Sequence, residues 1–117
     1  MELVDFLRAR LDEDARIARV AASQSRGEEW RYDGQYVVAD PERDMVAVGS
    51  QDFMDAETGK HIARHDPSRV LAEVEAKRQL LLWAENAEAG AHLLAIVDTL
   101  VAVYSNHPDF DPAWLED

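Results

Sequence analysis

A chain of 117 residues, 47% hydrophobic and 31% charged, has the size and composition of one globular domain, in which a single core buries roughly two thirds of the unfolded surface. Cysteine is absent, which excludes disulfides, thiolate nucleophiles and thiolate metal sites together. Twenty-four acidic residues against twelve basic ones leave a net charge of −12. That opposes direct binding to nucleic acid, which needs cations to displace counterions.

The first helix is expected over 1–24. Leu3, Phe6, Leu7, Leu11, Ala15, Ala18 and Ala22 recur at threes and fours and draw one apolar stripe. Arg8, Asp12, Glu13, Arg16 and Arg19 fall largely off it, and Gly27 is available for the positive φ of a C-terminal cap. The period then shortens. Trp30–Tyr32, Tyr36–Ala39 and Met45–Val48 are short runs rich in aromatic and β-branched residues. Asp33-Gly34 signals a hairpin with a type I′ turn, and Asp40-Pro41-Glu42-Arg43 makes the next turn. A three-stranded antiparallel meander at 29–49 follows, one face of which must be covered by helices.

Residues 50–65 read as a loop and a short helix that ends, with His65, where Asp66-Pro67 interrupts. Asp66 then serves as an N-cap with Pro67 in the first helical position. The helix from Pro67 to about Ala87 buries Val70, Leu71, Val74, Leu81 and Ala84, while Glu73 and Lys77 are spaced to form an i,i+4 pair. Gly90 breaks it. The last helix, about Ala91 to Tyr104, is apolar almost all round, so it is either central in the monomer or covered by a second copy. The expected fold is therefore α+β and helix-dominated: an N-terminal helix, the meander, three C-terminal helices within 58–104, and an ordered tail or short turn at 105–117, all in one domain.

No membrane attachment is expected. The longest apolar run, Leu93 to Tyr104, is too short to span a bilayer and is interrupted by Asp98 and Thr99. Glu2 and Asp5 stand where a secretory signal needs positive charge, so a cytoplasmic protein is expected.

Charge is unevenly placed. After Arg78 there is no Lys or Arg, while Glu85, Glu88, Asp98, Asp109, Asp111, Glu116 and Asp117 follow. Between Lys60 and Arg78 the balance reverses, with Lys60, Arg64, Arg69, Lys77 and Arg78 against Asp66, Glu73 and Glu75. This basic island, HIARHDPSRVLAEVEAKR at 61–78, is also where a family resemblance is most specific. Together with the opening LVDFLRARLDEDARIAR and the ending HPDFDPAW, it resembles a family of small uncharacterised proteins, a domain of unknown function found in actinomycetes and their phages. The three blocks match in order and leave only residues 40–60 outside the resemblance. It implies kinship and carries no activity, cofactor or site.

The island supplies the candidate site residues. His61, Arg64, His65, Arg69, Lys77 and Arg78 could bind a partner or an anion, since arginines beside a helix N-terminus form a competent anion site. The competing reading has Asp66 occupying the cap and the arginines paired with Glu73 or with acids of the tail. His61 and His65, four residues apart, could share a metal ion with Asp66, His92 or His107 as third ligand. The intervening residues lack the glutamate of a zinc-protease motif, and structural histidines at a helix junction are the simpler reading, so no metal or cofactor is expected. In the tail, His107, Phe110 and Trp114 serve as an anchor over the core or as an exposed epitope. Neither a nucleophile elbow nor a glycine-rich phosphate loop is visible.

These features point to a small acidic protein that is a non-enzymatic interaction module acting through an unknown protein partner, with a homodimer as one form. Two alternatives remain open. One is a DNA-mimic inhibitor of a nucleic-acid-binding enzyme, which needs an unbroken carboxylate array; the other is a metal-dependent enzyme or sensor using His61 and His65.

Overall fold

The structure, a computed structural model, describes residues 2–50, 54–86 and 91–115, and all their side chains except those of 91–94. The fold is α+β. Helix α1 (Leu3–Ser25) leads into strands β1 (Glu29–Tyr32), β2 (Val37–Asp40) and β3 (Asp44–Ala47), and then come α2 (Ala56–Arg64), α3 (Pro67–Asn86), α4 (Ala91–Ala102) and a 3-10 turn, Pro112–Leu115. The strands form an antiparallel sheet in the order β1-β2-β3. None of the described helices is long and apolar enough to cross a membrane.

The chain divides into two compact units. One comprises Asp14–Glu73; the other joins Met1–Glu13 to Val74–Asp117. Both α1 and α3 contribute residues to each.

In the Asp14–Glu73 unit the expected strands form, but their connections differ from the sequence reading. Gly34 is the residue with positive φ, at 103°, and Asp33 has none, so the turn is not type I′. Instead the Asp33 carboxylate accepts the N–H groups of Gln35 and Tyr36 at 2.9 and 2.8 Å, while its own N–H donates to the Tyr36 carbonyl. The first turn is thus held by a side chain acting as a backbone acceptor. Those two N–H bonds, that from Tyr36 first, hold the Asp33 carboxyl below its ordinary pKa, with smaller help from Arg43 and Arg31. Between β2 and β3 the register slips by one residue, leaving Val46 as a bulge.

Cover also exceeds the expectation. Consecutive strand residues face opposite sides, and Val37, Val38 and Ala39 are all buried, so β2 is covered on both faces rather than one. Val37 packs with Met54 and Ala63, bordered by Trp30, Tyr32 and Ile62.

Two glycines serve close approach. Helix α1 ends in a Schellman motif, with Gly27 N–H bonded to the Ala22 carbonyl and Arg26 N–H to that of Ser23. The left-handed residue in it is Arg26, at φ 60°, and not Gly27 as the sequence suggested. Arg26 is kept there although glycine is less strained at that position, and its Nε reaches Asp44 at 2.7 Å. A Cβ on Gly27 would stand 2.1 Å from the Asp40 carbonyl oxygen. Gly59 sits inside α2 for the same reason: a Cβ there would lie 2.2 Å from the Tyr32 ring.

In the other unit, Phe6, Leu7 and Leu11 of α1, Val74 and Leu81 of α3, and Val97 and Val101 of α4 are buried. Over the described side chains α4 buries one face, since Ala95, Ile96, Asp98 and Thr99 are exposed. A central α4, one of the two arrangements its composition permits, is therefore not what these residues adopt. Leu93 and Leu94 lie outside the described side chains.

Candidate functional site

The junction of α2 and α3 organises the Asp14–Glu73 unit. Helix α2 ends at His65, whose φ of −102° and ψ of 43° leave the helix. Asp66 then caps α3: one carboxylate oxygen accepts Arg69 N–H at 2.9 Å, and its carbonyl accepts the first helical bond from Val70. Its second carboxylate oxygen accepts Trp30 N–H at 3.0 Å, and Ser68 N–H donates to the Glu28 carbonyl. A single side chain thereby ties the start of α3 to β1.

Beside this junction lies an open groove of about 370 Å³. Its apolar wall is built from Ile17, Ala18 and Ala21 of α1, Trp30 of β1, and Pro67 and Val70 of α3. Its polar members are Asp14, Glu73 and His65. Trp30 is oriented from behind, its indole N–H within 3.2 Å of the Gly27 carbonyl and 3.3 Å of Ser25 Oγ. Ile17 lies off the main apolar stripe of α1, so helical periodicity does not single it out. An apolar residue on an otherwise charged face, Ile17 here, is the signal in the sequence that marks the groove.

The six basic candidates separate. His61, Arg64 and His65 share one concavity on α2 with Lys60 and Glu57. The two imidazoles lie with centroids 4.5 Å apart, and His65 Nδ1–H donates to the His61 carbonyl at 2.7 Å. Arg69 is elsewhere, paired with Glu73 at 2.8 Å. Arg78 bonds Asp12 at 2.9 Å, and Lys77 lies over the Tyr104 ring instead of pairing with Glu73. Arg69 thus makes the Glu73 pair of the competing reading, whereas the partner of Arg78 is an acid of α1. Arg64 in the last turn of α2 also complements the helix dipole. Among the described residues no group of three or more His, Asp or Glu is placed to hold a metal ion. Asp66 is engaged in the cap and His107 elsewhere, while the His92 side chain lies outside the described residues.

The tail residues come together around Phe6. Its ring centroid lies 5.5 Å from His107, 5.9 Å from Phe110 and 5.0 Å from Trp114. Arg10, unremarked in the sequence, completes the cluster: its guanidinium lies 5.2 Å from the Phe6 centroid, and Nη1 is 2.9 Å from His107 Nδ1.

These arrangements define a helix-dominated α+β protein with a groove beside a capped helix junction. The sequence profile of DUF6221, a family of unknown function, matches residues 1–116, and the chain belongs to that family. Comparison with curated proteins and with solved structures finds no match.

Proposed function

We propose that the chain is a non-enzymatic protein-interaction module, 1–117 acting as one domain, and that its partner is in the first place a second copy of itself. The observation that supports this reading is on α3, where Leu82 and Trp83 follow the buried Leu81 and are 51% and 54% exposed. Scattered exposed apolar residues are ordinary. A tryptophan half in solvent, as Trp83 is, is the kind of side chain that anchors protein interfaces. Ile96 of α4 and Val103 just after it, in the same unit, are exposed as well. A two-fold contact needs only one self-complementary patch.

Sedimentation equilibrium at two salt concentrations tests the reading. A chain of net charge −12 repels its copy at low salt, so association strengthens as salt screens that repulsion. Trp83→Ala is expected to abolish the dimer and, with it, the rise of the unfolding midpoint with protein concentration. A wild-type protein that stays monomeric at tens of micromolar in both salts refutes self-association.

A further inference from the structure

We infer that the tail is a latch operated by pH: it stays shut while His107 is neutral, and protonation of His107 releases Phe110 and Trp114 from Phe6. Every residue of the latch lies within Met1–Glu13 and Val74–Asp117, and it does not depend on self-association. The tail's two roles, anchor over the core and exposed epitope, are then its closed and open states. Phe6 meets His107, Phe110 and Trp114, and Phe110 meets Trp114 at 5.3 Å. His107 is the member of this cluster whose charge can change between pH 5 and 8 or thereabouts.

The nitrogens of that ring are met by donors. Nδ1 accepts the Asp109 N–H at 3.0 Å and faces Arg10 Nη1 at 2.9 Å, and the same Nη1 lies 2.5 Å from Nε2. A backbone N–H and a guanidinium have no lone pair to offer, so Nδ1 can accept only while it carries no proton. An imidazolium is protonated on both nitrogens: the Asp109 bond is lost, and a second cation stands against the guanidinium. Arg10 is poorly placed to retreat, since its side chain is 11% exposed and lies over the Phe6 ring.

The charged groups around the ring do not offset this. Glu13 is paired with Arg10 at 3.7 Å, on the far nitrogen Nε, and is 42% exposed. Asp109 is exposed and approaches through its N–H, and Asp111 accepts the Ala113 N–H at 2.9 Å. Lys77 of α3 lies over the Tyr104 ring, and Asp98 of α4 is exposed. Among the described residues no carboxylate is paired with the His107 ring.

Hydrogen exchange in the full chain, followed by NMR, reads the latch at the Phe110 and Trp114 amides, which bond the His107 and Asp111 carbonyls. Protection factors remove the intrinsic effect of pH on exchange and leave the opening equilibrium. From about pH 7.5 to about pH 5, across the range in which histidine titrates, protection at both amides is expected to fall about tenfold or more, as one lost acceptor and one added repulsion require. The amides of Val74 and Leu81 should keep theirs. His107→Gln retains an acceptor oxygen and cannot be charged, so its tail should stay shut at both pH values, whereas His107→Lys should be open at both. Titration of the His107 ring resonances with the tail still protected overturns the latch. So does a ring that stays neutral at the lower pH, or a fall in protection that survives His107→Gln. The glutamine variant decides the matter even if the lysine variant does not fold.

Discussion

In the Asp14–Glu73 unit the decisive contacts are made to backbone atoms. Asp66 and Asp33 accept backbone N–H groups, Gly27 admits the Asp40 carbonyl, and Gly59 lets the Tyr32 ring lie against α2. The unit built from Met1–Glu13 and Val74–Asp117 relies instead on side-chain burial, with the tail aromatics gathered on Phe6 and the apolar faces of α3 and α4 only partly covered. Backbone-directed contacts fix geometry with few atoms and suit a preformed groove. Apolar packing is less directional, and it leaves surface that another molecule can cover.

The contrast can be broken by substitution. Phe6 is fully buried under three aromatic rings, so Phe6→Ala should cost about 3–5 kcal/mol in a denaturant titration. A loss below 1 kcal/mol would mean that the tail is not packed there. Asp66→Ala removes the α3 cap and leaves Trp30 N–H unpaired; the expected cost is about 2–3 kcal/mol, more than a cap alone contributes. Backbone amide shifts should then change at Trp30 as well as at Arg69. Gly59→Ala carries the sharpest sign. In an ordinary helix interior the change stabilises by roughly 1 kcal/mol, whereas here the Tyr32 ring must move and a net loss of about 1–2 kcal/mol is expected. A stabilised variant would show that the ring yields freely.

The smallest effect concerns Asp33, whose pKa is lowered in the fold. A carboxyl depressed on folding adds stability above its unfolded value, near pH 4 or roughly so, and that stability is lost as pH falls through the lower folded value. Asp33→Asn keeps an acceptor oxygen but has no proton to gain. Its acid unfolding should therefore begin from a less stable plateau and decline less steeply below that pH, as read by circular dichroism.

Much of this was legible in the sequence because it is local. The α1 stripe, the three strand runs, and the Asp66-Pro67 cap each depend on residues within a few positions of one another. What escaped is set by distant atoms. Glycine is the residue a Schellman motif prefers, so Gly27 drew the assignment, yet the Asp40 carbonyl demands glycine there and Arg26 adopts the left-handed conformation. The Asp33-Gly34 pair marked the hairpin correctly and its turn type wrongly, because the Asp33 side chain replaces a backbone acceptor. Separating Arg64 from Arg69 and Arg78 likewise needed the positions of Glu73 and Asp12, which charge counting cannot supply. The composition of α4 permitted a central helix or a covered surface, and the exposure of Ile96 is set by packing that composition does not reveal.

The claim that the two units have different roles is tested most directly by amide hydrogen exchange at two protein concentrations, one tenfold above the other. Self-association through Leu82 and Trp83 predicts slower exchange at the higher concentration in the second half of α3 and in α4, with β1, β2 and α2 unchanged. Exchange independent of concentration throughout, or protection confined to the strands and α2, would contradict it.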